Sequence, residues 1–292
     1  MAEQKNPYAA PSAPVADFHP PQDRGTFIKE GVVVPARRGW DWWRRGFAIF
    51  RAAPWMWALI VLVLGGVFLL VVAVAGALSA AIVRSPAGVF LLVLLAVIVM
   101  NIVYPIISGG LMLAARAADE GDKPTVAHVF AGFNQAGGTL AAVGVLLLVG
   151  YIVIAAIQFM LFGMGFSKGM AGNPATMMQQ SVLASLVSLA LSVPLAMAFW
   201  FASSLVVFNG LSAIEAIRAS FLGCLKNVVP FLIYGLVGLA LGIVLALVLG
   251  ALIFATRGLA AILMFVLAFA ILPIILGTIY AGYRDIYTTQ RS

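Results

Sequence analysis

Two short stretches hold most of the side chains in this sequence that could do chemistry. In AADEGDKP, residues 117–124, three carboxylates crowd together at Asp119, Glu120 and Asp122. A divalent ion is what they would serve, yet the ligand spacing of a calcium loop is missing. The expectation there is a solvated turn, with a helix starting near Pro124 or Thr125. In RRGWDWWRRGFAIFR, residues 37–51, five arginines are interleaved with five large aromatics. Guanidinium groups hold phosphates and rings stack on bases, so the composition suits single-stranded nucleic acid. It equally suits a helix lying on a membrane. Elsewhere the reactive groups are isolated. His19 and His128 have no cysteine or second histidine at ligand spacing, which argues against a zinc or iron site, and His128 is expected at the interface. The lone Cys224 cannot form an internal disulfide. Glu215 and Arg218 make an ordinary helix-surface pair. No catalytic, cofactor-binding or metal-binding residue is assigned, and the chain is not expected to be an enzyme.

Helical periodicity decides between the two readings of residues 37–51. At about 100° per residue, Trp40, Trp42, Trp43, Phe47 and Phe50 fall with Ile49 on one half of the wheel. Arg37, Arg38, Asp41, Arg44, Arg45 and Arg51 fall on the other. A single-strand binder needs its rings exposed beside its arginines, whereas this separation turns them away from each other. The expectation is an interfacial helix, with rings in the headgroup boundary and guanidiniums toward anionic lipid headgroups or water. Nucleic acid is not expected as a partner.

The elements behind that helix are set by composition. The 292 residues are 63% hydrophobic and 9% charged, with a mean hydropathy of +1.10, whereas soluble domains carry roughly 25% charged residues. Six apolar runs, at 55–83, 87–115, 139–162, 179–208, 228–255 and 259–281, are long enough to cross a hydrocarbon core about 30 Å thick as helices. Fourteen of the seventeen Lys and Arg fall on one side of this six-span arrangement; Arg84, Lys168 and Arg257 fall on the other. All ten acids share the basic side, and no ionisable group falls in the middle of a span. The positive-inside bias puts both termini in the cytoplasm. Residues 1–35, rich in Pro and Ala and without an apolar leader segment, read as a disordered cytoplasmic tail that stays uncleaved. Such tails can recruit a protein partner, for which Tyr8 or Phe18 is the candidate anchor, although their spacing marks no motif.

The chain also repeats itself. PIISGGLMLAAR, from Pro105 to Arg116, matches PIILGTIYAGYR, from Pro273 to Arg284, and the fourth span carries Pro194 at a comparable place. Trp40, Trp43 and Phe47 correspond by spacing to Val126, Val129 and Phe133, and to Ile214, Ile217 and Phe221. The fold class that follows is all-α: a polytopic membrane bundle of six helices in three pseudo-repeats (36–116, 124–208 and 211–287), each preceded by a cytoplasmic amphipathic helix. The membrane domain covers 36–292. Pro105, Pro194 and Pro273 are expected to kink their spans. Asn101, Gln158, Ser181, Ser185, Ser188 and Ser192 put polar groups in the spans, where they bond between helices or line a path for a solute or lipid headgroup. Gly238, Gly242, Ala246 and Gly250 form a small-residue ridge suited to close helix packing, within the chain or in a homo-oligomer.

NPYAAP, the Trp-rich helix ending in FRAAPWMW, and the closing YRDIY together resemble an uncharacterised family of bacterial inner-membrane proteins with six spans. The repeated plan is more remotely similar to the membrane domain attached to some glycerophosphoryl diester phosphodiesterases. The first resemblance implies a location and a topology. The second transfers no activity, because the catalytic barrel has no counterpart here. The expected role is a non-enzymatic inner-membrane scaffold or accessory protein that interacts with lipids or a partner. The alternative is a carrier or channel for a small or lipidic substrate.

Overall fold

The structure, a computed structural model, describes residues 25–82, 86–163, 174–257 and 262–289. Tyr8, Phe18 and His19 of the tail, and Arg84 and Lys168 of the connections, lie outside the described residues. Among the described residues there are nine α-helices and no strand: α1 (Arg38–Ala52), α2 (Pro54–Ile82), α3 (Pro86–Asp119), α4 (Ala127–Gln158), α5 (Pro174–Phe199), α6 (Ala202–Asn209), α7 (Ala213–Lys226), α8 (Val228–Ala255) and α9 (Ile262–Tyr287). A π-helical turn, Phe159–Gly163, extends α4. Six of these segments are long and apolar enough to cross a membrane, as the composition requires.

Each surface helix meets its span at a single non-helical residue. Ala53 does this between α1 and α2 (φ −150°, ψ 61°), and Asn227 does it between α7 and α8 (φ −118°, ψ 31°). Within α4, Ala136 (φ −152°, ψ 29°) separates a short surface segment from the span proper. The three junctions recur at comparable places in the three repeats. Pro105, Pro194 and Pro273 each lie inside a helix, and the second repeat is interrupted downstream of its proline, at Trp200 and Phe201.

The core is confined to the end of the bundle that carries the surface helices, the basal end. Trp42, Ile49, Trp57, Met112, Leu140, Phe201, Leu205, Tyr280 and Tyr287 are all buried there. Toward the distal end the spans present Leu69, Phe90, Ile152, Leu186 and Leu247 outward. Side chains of this kind cannot stay exposed to water over whole helices, so lipid must cover them.

The surface helices pack in a cycle. α1 lies across α9, the surface part of α4 lies across α3, and α7 lies across α5. Each therefore sits on the proline-bearing span of the preceding repeat, and the first sits on that of the last. Small residues set these crossings. A Cβ on Gly46 would come within 2.5 Å of the Ile274 carbonyl, and one on Gly277 within 2.8 Å of the Gly46 Cα. At the corresponding place in the second repeat, Gly132 is pressed against the Ile106 carbonyl. In the third, Ser220 replaces glycine; its hydroxyl donates to Met197 O (2.8 Å) and accepts from Phe201 N (3.0 Å).

An extended strap, residues 25–35, crosses the basal end. Ile28 N and Val32 N donate to the carbonyls of Tyr287 and Ile286 (2.9 and 2.8 Å), which the end of α9 would otherwise leave without partners. Val34 N donates to Asn227 Oδ1, and Asn227 Nδ2 donates to Val32 O and Gly223 O. Lys29 pairs with Glu215, and Lys226 donates to Glu30 O. The expected tail boundary at residue 35 is therefore too late: residues 25–35 belong to the fold, because they cap α9 and fill the side chain of Asn227.

Candidate functional site

α1 has three faces, where hydropathy alone suggests two. Gly39, Trp42, Gly46 and Ile49 are buried against α8 and α9. Trp40 and Phe47 remain about half exposed, at 50% and 48%, and beside them Arg37, Arg44 and Arg51 are exposed. The Arg51 guanidinium lies 5.9 Å from the centre of the Phe47 ring, and Arg44 pairs with Asp41 at 3.7 Å. The third face carries Arg38 and Arg45, both turned onto buried aspartates.

Two of the residues expected at the lipid boundary are accordingly placed elsewhere. Trp42 is 1% exposed; its indole N–H donates to Asp285 Oδ2 at 2.9 Å, and its ring packs near Phe231 and Tyr234. Trp43 stacks on Tyr234 and donates to that residue's carbonyl oxygen. Both indoles find acceptors inside the protein, which outweighs what the interface offers them. Phe50 is half-buried.

The buried carboxylates are the second departure. Asp119 ends α3 with a side chain only 3% exposed. Arg45 Nε donates to its Oδ1 at 2.6 Å, and Arg284 pairs with its Oδ2. The acidic cluster is thus split: Asp122 is exposed, as a solvated turn requires, whereas Asp119 joins α1, α3 and α9. Asp285 is fully buried between Trp42 and Arg38, the latter at 3.6 Å. Buried carboxylates persist only when charge and hydrogen bonds compensate their lost hydration, and here guanidinium and indole donors do so.

Around Asp119 the basal ends of the repeats enclose a cleft of about 320 Å³. Arg45, Arg116, Arg284, Asp119 and Glu120 supply its charge, with Phe208, Tyr280 and Tyr283 as walls. Arg116 stacks over Phe208 at 5.0 Å and meets Glu120 at 3.7 Å. The Tyr283 hydroxyl donates to Asn209 Oδ1 at 2.6 Å. Sequence reasoning missed Asp285, Asn209 and Tyr283, and it read Asp119 as part of a solvated turn. A signal was available in the internal repeat, since Arg116 and Arg284 match in register and each is followed closely by an aspartate.

The remaining expected residues are dispersed. Asn101 donates to Val97 O, Ser185 to Ser181 O, and Gln158 to Ala184 O. Ser181 and Ser185 are exposed on α5, while Ser188 and Ser192 are half-buried. Gln158 thus ties α4 to α5, while Ser181 and Ser185 line a shallow groove on α5 whose other walls, Met178, Val182, Leu186 and Leu189, are apolar. Gly238 lies under the Trp43 ring, whereas Gly242 and Gly250 face open space. His128 takes a local role, its ring nitrogen within hydrogen-bond reach of Thr125 N at 3.0 Å. On α7, Ser212 and Glu215 form a capping box. The Lys29 ammonium and the Ser212 hydrogen bonds hold the Glu215 carboxyl down at about 2. Burial pushes the Cys224 thiol up to about 12.

Six apolar helices whose outer surfaces only lipid can cover define an integral, multi-pass membrane protein. Their charged side chains lie at or near the helix ends among the described residues. The chain is similar to a probable inner membrane protein of Burkholderia thailandensis, 26% identical over 275 residues that cover 89% of this chain and 94% of that one. This likeness supports the inner membrane as its location. No family model matches the chain, and no solved structure matches it.

Proposed function

We propose that the protein is a non-enzymatic scaffold or accessory protein of the inner membrane, with its basal end and both termini in the cytoplasm. In this reading α1 gathers anionic lipid headgroups. One observation carries it: α1 is clamped to the protein along its buried face and its Arg38–Arg45 face, and the remaining face presents Trp40 and Phe47 beside Arg37, Arg44 and Arg51. Seven residues of helix separate successive arginines by about 10.5 Å, so three guanidiniums form a row along the rim, where aromatic rings and basic groups favour an anionic interface. The spans support a scaffold over a carrier, because Asn101, Gln158 and Ser185 each donate to a backbone carbonyl.

The test is lipid content. Protein extracted into native nanodiscs should carry more anionic lipid than the bulk membrane, and Arg37→Gln with Arg44→Gln and Arg51→Gln should erase the excess. An unchanged lipid ratio in that variant would sink the headgroup reading. Solute flux into proteoliposomes above that of empty vesicles would favour the carrier. Orientation is read by an impermeant maleimide on intact cells: a cysteine at Arg257 should label and one at Lys29 should not.

A further inference from the structure

The threefold plan brings the last helices of the three repeats, α3, α6 and α9, to one point by their carboxyl ends, and α1 with the strap closes the sides. We propose that the cleft formed there is an anion site that takes a phosphate-bearing group, with Arg45, Arg116 and Arg284 as its guanidinium donors. The inference goes beyond the scaffold reading and rests on different residues.

Charge favours an anion. Three guanidiniums and two carboxylates line the cleft, leaving one net positive charge. Helix carboxyl ends ordinarily contribute negative partial charge, but backbone donors occupy several of these carbonyls and reduce it. Glu120 N and Asp122 N donate to Arg116 O and Ala117 O, Gly210 N to Val206 O, and Ile28 N and Val32 N to Tyr287 O and Ile286 O.

A cluster built only for stability would explain Arg45 and Arg284, which divide the two oxygens of Asp119. It would not explain Arg116, which lines the same cleft, is backed by Phe208, and reaches Glu120 only at 3.7 Å. A guanidinium's fork of N–H donors exceeds what one carboxylate oxygen accepts, and its planar geometry matches phosphate. Asp119 fixes the orientation of two of the three groups before a ligand arrives. The volume, about 320 Å³, is at the lower end for small-molecule pockets, about 300–1,000 Å³. Phe27, Phe208 and Tyr280 offer walls for a carbon skeleton. The spans end at this level, where headgroup phosphates of the bilayer also lie, so a lipid headgroup and a free phosphate both meet the chemistry.

The experiment is thermal unfolding of the purified full chain in neutral detergent, titrated with inorganic phosphate or with chloride at equal ionic strength. A second arm compares nanodiscs of phosphatidylcholine with and without phosphatidylglycerol. Stabilisation by phosphate identifies a free anion as a ligand, and stabilisation by phosphatidylglycerol alone identifies a headgroup; either supports the site. Arg116→Gln should weaken the response about tenfold, the loss of one charge-assisted contact. Asn209→Asp keeps the acceptor for Tyr283 while adding a negative charge at the wall, and should weaken it comparably. The Arg37, Arg44 and Arg51 triple variant should keep the part of the response that Arg116→Gln removes. Three results would overturn the cleft: no stabilisation in either arm, a response untouched by both cleft variants, or a response lost in the triple variant. The last would move binding to the rim row and leave the scaffold reading intact.

Discussion

Asp119→Asn is the sharpest perturbation of the basal end. The substitution keeps the side chain's size and one acceptor oxygen but removes the charge that neutralises Arg45 and Arg284. Removing one partner of a buried pair costs about 3–5 kcal/mol. Arg45 is 40% exposed and regains hydration, whereas Arg284 is only 17% exposed, so solvent screening lowers the whole range. A loss of about 2–4 kcal/mol remains. For a chain of this size each kcal/mol lowers Tm by about 2–4 °C, so detergent-solubilised protein should melt about 5–15 °C below the parent. Arg45→Gln should cost less alone and little more on top of Asp119→Asn, giving a coupling energy of about 1–2 kcal/mol in the double-mutant cycle. Salt should barely alter the difference, because a buried carboxylate is poorly screened. If Asp119→Asn melts with the parent, or the cycle shows no coupling, the three-helix ion cluster holds nothing together.

Other expectations follow from the same packing. Gly46→Leu should destabilise the protein by about 3 kcal/mol or more, seen as a lower Tm, because the side chain must displace α9 backbone. Cys224 should resist maleimide at pH 8 until the protein is unfolded. Its thiol is held protonated, so its contribution to stability is intact up to about pH 9 and declines as pH rises toward about 12. Glu215 titrates in the opposite sense: the strap–α7 tie is complete above pH 4.5 and weakens as pH falls toward about 2. Hydrogen exchange at Ile28 and Val32 should quicken over that range. Trp42→Phe should leave Asp285 without its indole donor and lower Tm by more than Trp40→Phe, whose ring is half exposed.

Hydropathy made the spans legible because a bilayer demands long apolar helices, and spacing made the repeats legible because each unit reuses the same crossing. Periodicity put Phe47 and Trp40 on the apolar side of α1, and both rings stay half exposed. Trp42 was not, since a wheel separates polar from apolar but cannot tell lipid from protein as the apolar neighbour. The ion pairs of Arg38 and Arg45 were not readable, because their partners, Asp285 and Asp119, are far away in sequence. The strap carried no periodic signal: it is held by backbone hydrogen bonds to Tyr287, Ile286 and the amide of Asn227, which composition does not report.

Seating α1 on α9 has a consequence for biogenesis. While the ribosome is still making the earlier spans, Trp42 has no carboxylate to meet and Gly46 has no backbone to press against, since Asp285 and Gly277 are still untranslated. Until then the part of the opening helix that meets α9 stays uncovered. A chain that stops before α9 can cover Gly39 and the Trp42 ring with α8 but leaves Gly46 and Ile49 bare and Asp285 missing.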